Sequence, residues 1–138
     1  MTLNVRAIAR IAVAAVVALG IGQLSVQAQK PQTGSEFYVA YRAAFDKAKK
    51  IEDIYPFMSA ARVKEMKSTP AEDRAMMFDM IKEMGALTGV KVLKETAAAN
   101  GASLNVEGVS PDKSKQTGTI SLVKEAGAWK IDKESWKN

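Results

Sequence analysis

The rhythm of apolar residues changes once along this chain. From Phe37 to Leu87 they recur every three or four positions, the spacing of one helical face, and from Val90 onward they alternate, the spacing of one sheet face. Helices followed by strands joined through short turns make an α+β plan: three N-terminal helices packed on a curved antiparallel four-stranded sheet, cone-like in outline.

The helical half divides at its caps and prolines. Thr33-Gly34-Ser35-Glu36 has capping-box spacing, and Phe37, Tyr41, Ala44, Phe45 and Ala48 share the apolar face of a first helix, with Arg42, Asp46 and Lys49 on its wet side. The cluster Lys47, Lys49 and Lys50 falls where that helix ends, and cations there oppose the negative end of its dipole. Ile51, Ile54, Tyr55 and Met58 form a second helical stretch that Pro56 must split into two short pieces. Thr69-Pro70-Ala71-Glu72 predicts a capping box with proline at the first position of a third helix. Its stripe is Met77, Met80, Ile81, Met84 and Leu87, and Gly85 or Gly89 stops it.

Four strands are expected after it. Val90 to Ala97 leads through the hairpin signal Asn100-Gly101 into Ala102 to Val109, with Leu104 and Val106 inward and Ser103, Asn105 and Glu107 outward. A polar loop, Ser110 to Lys115, precedes Gln116 to Lys124, where Ile120 and Leu122 face Thr117, Thr119 and Ser121 across the strand. Gly127 turns the chain into Ala128 to about Lys137, with Trp129 and Ile131 on one side and Lys130 and Asp132 on the other.

Ahead of all this stands a secretory signal: Arg6 and Arg10, an apolar run from Ile11 to Leu24, and the small-residue site Val26-Gln27-Ala28. The run is shorter than the roughly twenty residues that span a bilayer stably. Cleavage after Ala28 is therefore expected, leaving a loose leader, residues 29–34, and a domain, residues 35–138. The product is exported, periplasmic or extracellular, and without stable membrane insertion. An uncleaved N-terminal anchor is the competing reading, and a lipoprotein is excluded because no cysteine follows the cut.

Removing 28 of 138 residues leaves 110, enough for one core, and taking Arg6 and Arg10 from 20 basic residues against 15 acidic leaves a charge of +3. That excess is spread along the chain and gives no nucleic-acid footprint. With no cysteine and no histidine, disulfides, thiol chemistry, the commonest metal ligand and the usual partner of a catalytic serine are all absent.

The closing run Leu122-Val123-Lys124-Glu125-Ala126-Gly127-Ala128-Trp129-Lys130-Ile131-Asp132 resembles the last hairpin of small exported domains of the nuclear-transport-factor-2-like superfamily. A weaker similarity runs from Phe37 to Trp136. The resemblance implies a concave sheet closed by helices, a shape that serves enzymes, ligand pockets and dimer modules alike. The chain departs from larger members in having no evident strand pair between the second and third helices, which bears on the size of the pocket.

Enzymes of that superfamily place acids and bases inside the cone. Here Tyr38, Tyr41 and Tyr55 with Asp46, Asp53 or Asp79 are the groups available, but most read as packing aromatics or wet-face carboxylates. No catalytic residue is assigned and no cofactor is expected. Met76, Met80 and Met84 share a helical face and offer thioethers suited to copper(I), against the ordinary use of methionine as core filler. Tyr41, Phe45, Met77, Met80, Met84 and Trp129 are the candidate lining of a pocket between helices and sheet. The expectation is a non-catalytic binding module for a small apolar molecule or an envelope protein partner. Its polar outer sheet face suits a monomer or weak homodimer.

Overall fold

The structure is a computed structural model and describes residues 32–138. The signal peptide and residues 29–31 of the leader lie outside the described residues. Element order is α1 (Gly34–Lys47), a 3-10 segment (Ile51–Phe57), α2 (Ala60–Ser68), a 3-10 turn (Ala71–Asp73), α3 (Arg74–Met84), then β1 (Thr88–Ala98), β2 (Gly101–Val109), β3 (Lys115–Glu125) and β4 (Ala128–Lys137). The strands form one antiparallel sheet in the order β1-β2-β3-β4. This is the α+β architecture of helices over a meander. Among the described residues no strand pair interrupts the helices.

Helix α1 starts at the expected box: Thr33 Oγ1 accepts from Glu36 N at 3.1 Å, and Thr33 N donates to Glu36 Oε2 at 2.8 Å. Such caps are worth about 1 kcal/mol. Gly34, assigned by sequence to the leader, is the first helical residue. The apolar face then inserts Phe37, Tyr38, Tyr41 and Phe45 between the sheet and the 3-10 segment. Their rings run in a chain with Phe57, Tyr41 lying 5.6 Å from Phe57 and 5.9 Å from Phe45. Burying each such side chain contributes roughly 1.5–3 kcal/mol.

Three expectations are corrected in the helices. Arg42, placed by periodicity on the wet side, is buried beside Phe45 because its charge finds carbonyls at the end of α3. The last carbonyls of α1 are reached by Lys82 of α3, whose Nζ donates to Phe45 O at 2.6 Å and Asp46 O at 3.1 Å, while only Lys47 of the basic cluster lies in the last turn. Thr69 does not cap α3: its hydroxyl donates to Met77 Sδ at 3.3 Å, and Pro70 leads instead into the 3-10 turn.

The stripe of α3 is also rotated from its expected position. Phe78 is the buried residue, flanked by half-buried Met77 and Ile81, whereas Met80 and Met84 are 56 % and 72 % exposed. Short helices make few alternative contacts, and the largest apolar side chain takes the core position. Gly85 closes the helix where expected, its position leaving room for the Phe45 ring, which a Cβ there would approach to 2.7 Å.

The strand limits match the alternation closely. Leu104, Val106, Ile120, Leu122 and Ile131 are buried, and Asn105, Thr117 and Thr119 face outward as expected. Three register shifts bend the sheet, one at the start of β1 between Thr88 and Lys91 and two bulges farther along. In β1, Val92 pairs with Val106 and Lys94 with Asn105, so Leu93 is the extra residue; in β4, Leu122 pairs with Ile131 and Ser121 with Lys133, so Asp132 is extra. Each bulge reverses which side chains face the helices. The first turns Glu95 inward, where it accepts from Gly34 N at 3.0 Å and from Ser35 N at 2.9 Å, a carboxylate on the positive end of α1.

Candidate functional site

The second bulge makes the site. Alternation alone would carry Lys133, Ser135 and Lys137 inward after Ile131, but the extra residue brings in Glu134 and Trp136. Glu134 pairs with Ile120, and Trp136 pairs with Gly118, whose missing side chain accommodates the indole: a Cβ there would lie 2.8 Å from the Trp136 ring. Asp132 itself points to the other side and accepts from Ser59 Oγ at 2.9 Å, while Ser59 N donates to Ile131 O at 2.8 Å, tying the start of α2 to the bulge.

Between this end of β4 and the helices lies a cavity of about 160 Å³. Its apolar wall is Phe45, Ile54, Met58, Met66, Ile81 and Met84; its polar wall is Tyr41, Arg42, Arg62, Glu134 and Trp136. The volume is well below the roughly 300–1,000 Å³ of sites for drug-sized ligands, so an occupant is small.

Polar groups on that wall lack partners. Arg42 Nη2 donates to Gly85 O at 2.8 Å, but Arg42 Nε is buried without an acceptor. Glu134 Oε1 is likewise buried and unpaired among the described residues, as is Tyr38 Oη, which does not line the cavity. Arg62 lines the cavity with no ion pair within 4.0 Å among the described residues, and its charge acts on Glu134. Burial pushes the Glu134 carboxyl above its ordinary range even though the charges of Arg62 and Arg42 and the polar ends of Trp136 and Tyr41 pull it down. Burial and the nearby Glu134 push the Tyr38 and Tyr41 phenols upward, so both remain protonated donors.

Of the six residues assigned to the pocket from sequence, Tyr41, Phe45 and Met84 line this cavity. The other three do not. Met77 packs under α2 beside Thr69, Met80 faces solvent, and Trp129 stands at the opposite end of β4, its Nε1 donating to Gln32 O at 2.8 Å. Trp129 is on the inner face as expected, but it lies away from this cavity, bonded to Gln32. Met76, Met80 and Met84 do share one exposed face of α3. Asp46, Asp53 and Asp79 are all exposed, and Asp53 is engaged by Lys49 N and Lys50 N, so the structure brings none of them to the cavity. Glu134, Arg42, Arg62, Met58, Met66 and Trp136 were not foreseen. One signal pointed to them: unbroken alternation would have buried Lys133 and Lys137 and exposed Trp136, which argues for an extra residue between Ile131 and Glu134.

One solved structure resembles this fold. It is the crystal structure of a proposed NTF2-like transpeptidase from Campylobacter jejuni, with a TM-score of 0.41 and 12 % identity over 70 % of this chain and 91 % of that one. No protein-family model and no curated protein matches the chain. The arrangement that the closing hairpin implies, helices laid over a curved antiparallel sheet, is the one observed here.

Proposed function

We propose that this protein is an exported, non-catalytic binding module that holds a small molecule in the cavity between α1, α2, α3 and β4. The carrying observation is the mixed wall, in which Phe45, Ile54, Met58, Met66 and Ile81 face Arg62 together with Arg42 and Glu134, each of which holds a buried unpaired polar atom. An apolar body with one polar end satisfies both sides, which refines the purely apolar ligand expected from sequence. Export rests on the N-terminal pattern of Arg6, Arg10 and Val26-Gln27-Ala28. No helix among the described residues is long and apolar enough to cross a membrane.

A second reading, a small acid–base enzyme, is favoured by one feature: Glu134, titrating above the ordinary range, shares the cavity with Tyr41. Native mass spectrometry of protein purified from its own host tests the binding reading. A retained small mass that is lost on Trp136→Ala substitution supports it. A bare chain, or a chain carrying only another protein, overturns it.

A further inference from the structure

Hydrogen-bond capacity on the cavity's polar wall is lopsided. Arg42 Nε is a buried donor without an acceptor, and the half-buried Arg62 guanidinium forms no side-chain hydrogen bond among the described residues. Against them stands a single unpaired acceptor, Glu134 Oε1. Formal charge leans the same way, with two guanidiniums facing one carboxylate, while Asp46 sits 4.0 Å from Arg42 on the exposed flank of α1. A cation entering here would meet two like charges, and a neutral apolar molecule would take water from the Arg62 guanidinium without pairing it.

We infer that the cavity takes a small monocarboxylate, its anionic end on Arg62 within the field of the Arg42 guanidinium and its short apolar tail against Phe45, Met58, Met66 and Ile81. This rests on the binding reading above and names the ligand class of the same site. Guanidinium–carboxylate pairing supplies charge-assisted hydrogen bonds in a place partly shielded from water. The groups facing Glu134 are Tyr38, Tyr41 and Arg42 from α1 and Arg62 from α2. An arriving carboxylate adds a like charge to them, so Glu134 takes up a proton and becomes a donor to the ligand. Binding is then coupled to proton uptake.

The test uses pentanoate, pentanol and pentylamine, three probes with one tail and different heads, followed by two-dimensional NMR at the Trp136 indole N–H, with the Trp129 indole as internal control. Expected is a saturable shift at Trp136 for pentanoate at least tenfold tighter than for the other two, about 1.4 kcal/mol. Its affinity should rise as the solution is taken from about pH 8 to about pH 6, and Glu134→Gln should flatten that dependence. Arg62→Gln, checked for an unchanged amide spectrum, should weaken pentanoate by roughly tenfold and leave pentanol unaffected. Pentanol binding as tightly as pentanoate, or pentylamine binding better, overturns the carboxylate assignment while the cavity keeps its role as a binding site. No shift at Trp136 with any probe overturns both.

Discussion

Replacing Arg42 by methionine keeps a stem that can pack on Phe45 and removes the hydrogen bond to Gly85 O, leaving the end of α3 unfastened. A hydrogen bond from a charged donor contributes about 1.5–3 kcal/mol, so Arg42→Met should lower the urea midpoint by an amount equivalent to about 2 kcal/mol with little change in m. Glu95 and Glu134 should affect stability with opposite sign. Hydrogen bonding from Ser35 holds the Glu95 carboxyl below its ordinary range, so its contribution is present above the unfolded value and disappears as pH falls through the lowered one. Glu95→Gln should therefore cost about 1 kcal/mol at neutral pH, a figure reduced for solvent screening, and nothing in strong acid. Glu134 is raised by burial, so its contribution is complete below the unfolded value and is lost as pH climbs through the raised one. Glu134→Gln should raise Tm at neutral and alkaline pH, and the gain should vanish near pH 4; thermal scans across pH compare both variants directly.

Strand pairing depends on close approach at two glycines. A Cβ at Gly101 would lie 1.9 Å from Leu122 O, so Gly101→Ala should force the β2–β3 ladder apart at that end and cost more than the roughly 1–3 kcal/mol of ordinary overpacking. Calorimetry would register it as a large fall in Tm. Gly118→Ala should act on the cavity as well, because the indole of Trp136 must move away from the sheet to admit the methyl group. Elements are readable where their signals are local: capping chemistry at Thr33, the turn at Asn100-Gly101 and alternation through β2 and β3 each act within a few residues, whereas Pro56, expected to split its stretch, lies inside the 3-10 segment and the break comes at Met58-Ser59. Bulges do not announce themselves in this way. Leu93 and Asp132 are ordinary strand residues, and what makes them extra is the register of the neighbouring strand. The faces read in β4 stop at Asp132, where the register shifts, so the alternation read there gives no sign of the carboxylate that follows in the cavity. Arg42 was misplaced for a related reason, since periodicity scores it as charged and cannot see carbonyls 43 and 45 positions along the chain that receive it.

For the molecule as a whole, the outer sheet face bears on self-association. Glu107 is held between Lys91 at 2.6 Å and Lys115 at 2.7 Å, which lowers its titration, and the surrounding surface of Asn105, Thr117 and Thr119 is polar. Light scattering at micromolar concentration is expected to give a monomer or a weak dimer. Intact mass of exported material should correspond to a chain starting at Gln29. Arg42 meanwhile spends one nitrogen on the end of α3 and also lines the cavity. Whatever occupies that space and orders this guanidinium must also tighten the grip on Gly85, and by reciprocity loosening the helix must weaken the occupant. Amide exchange in the last turn of α3 should thus slow when the cavity fills, making a surface helix the gauge of what the interior holds.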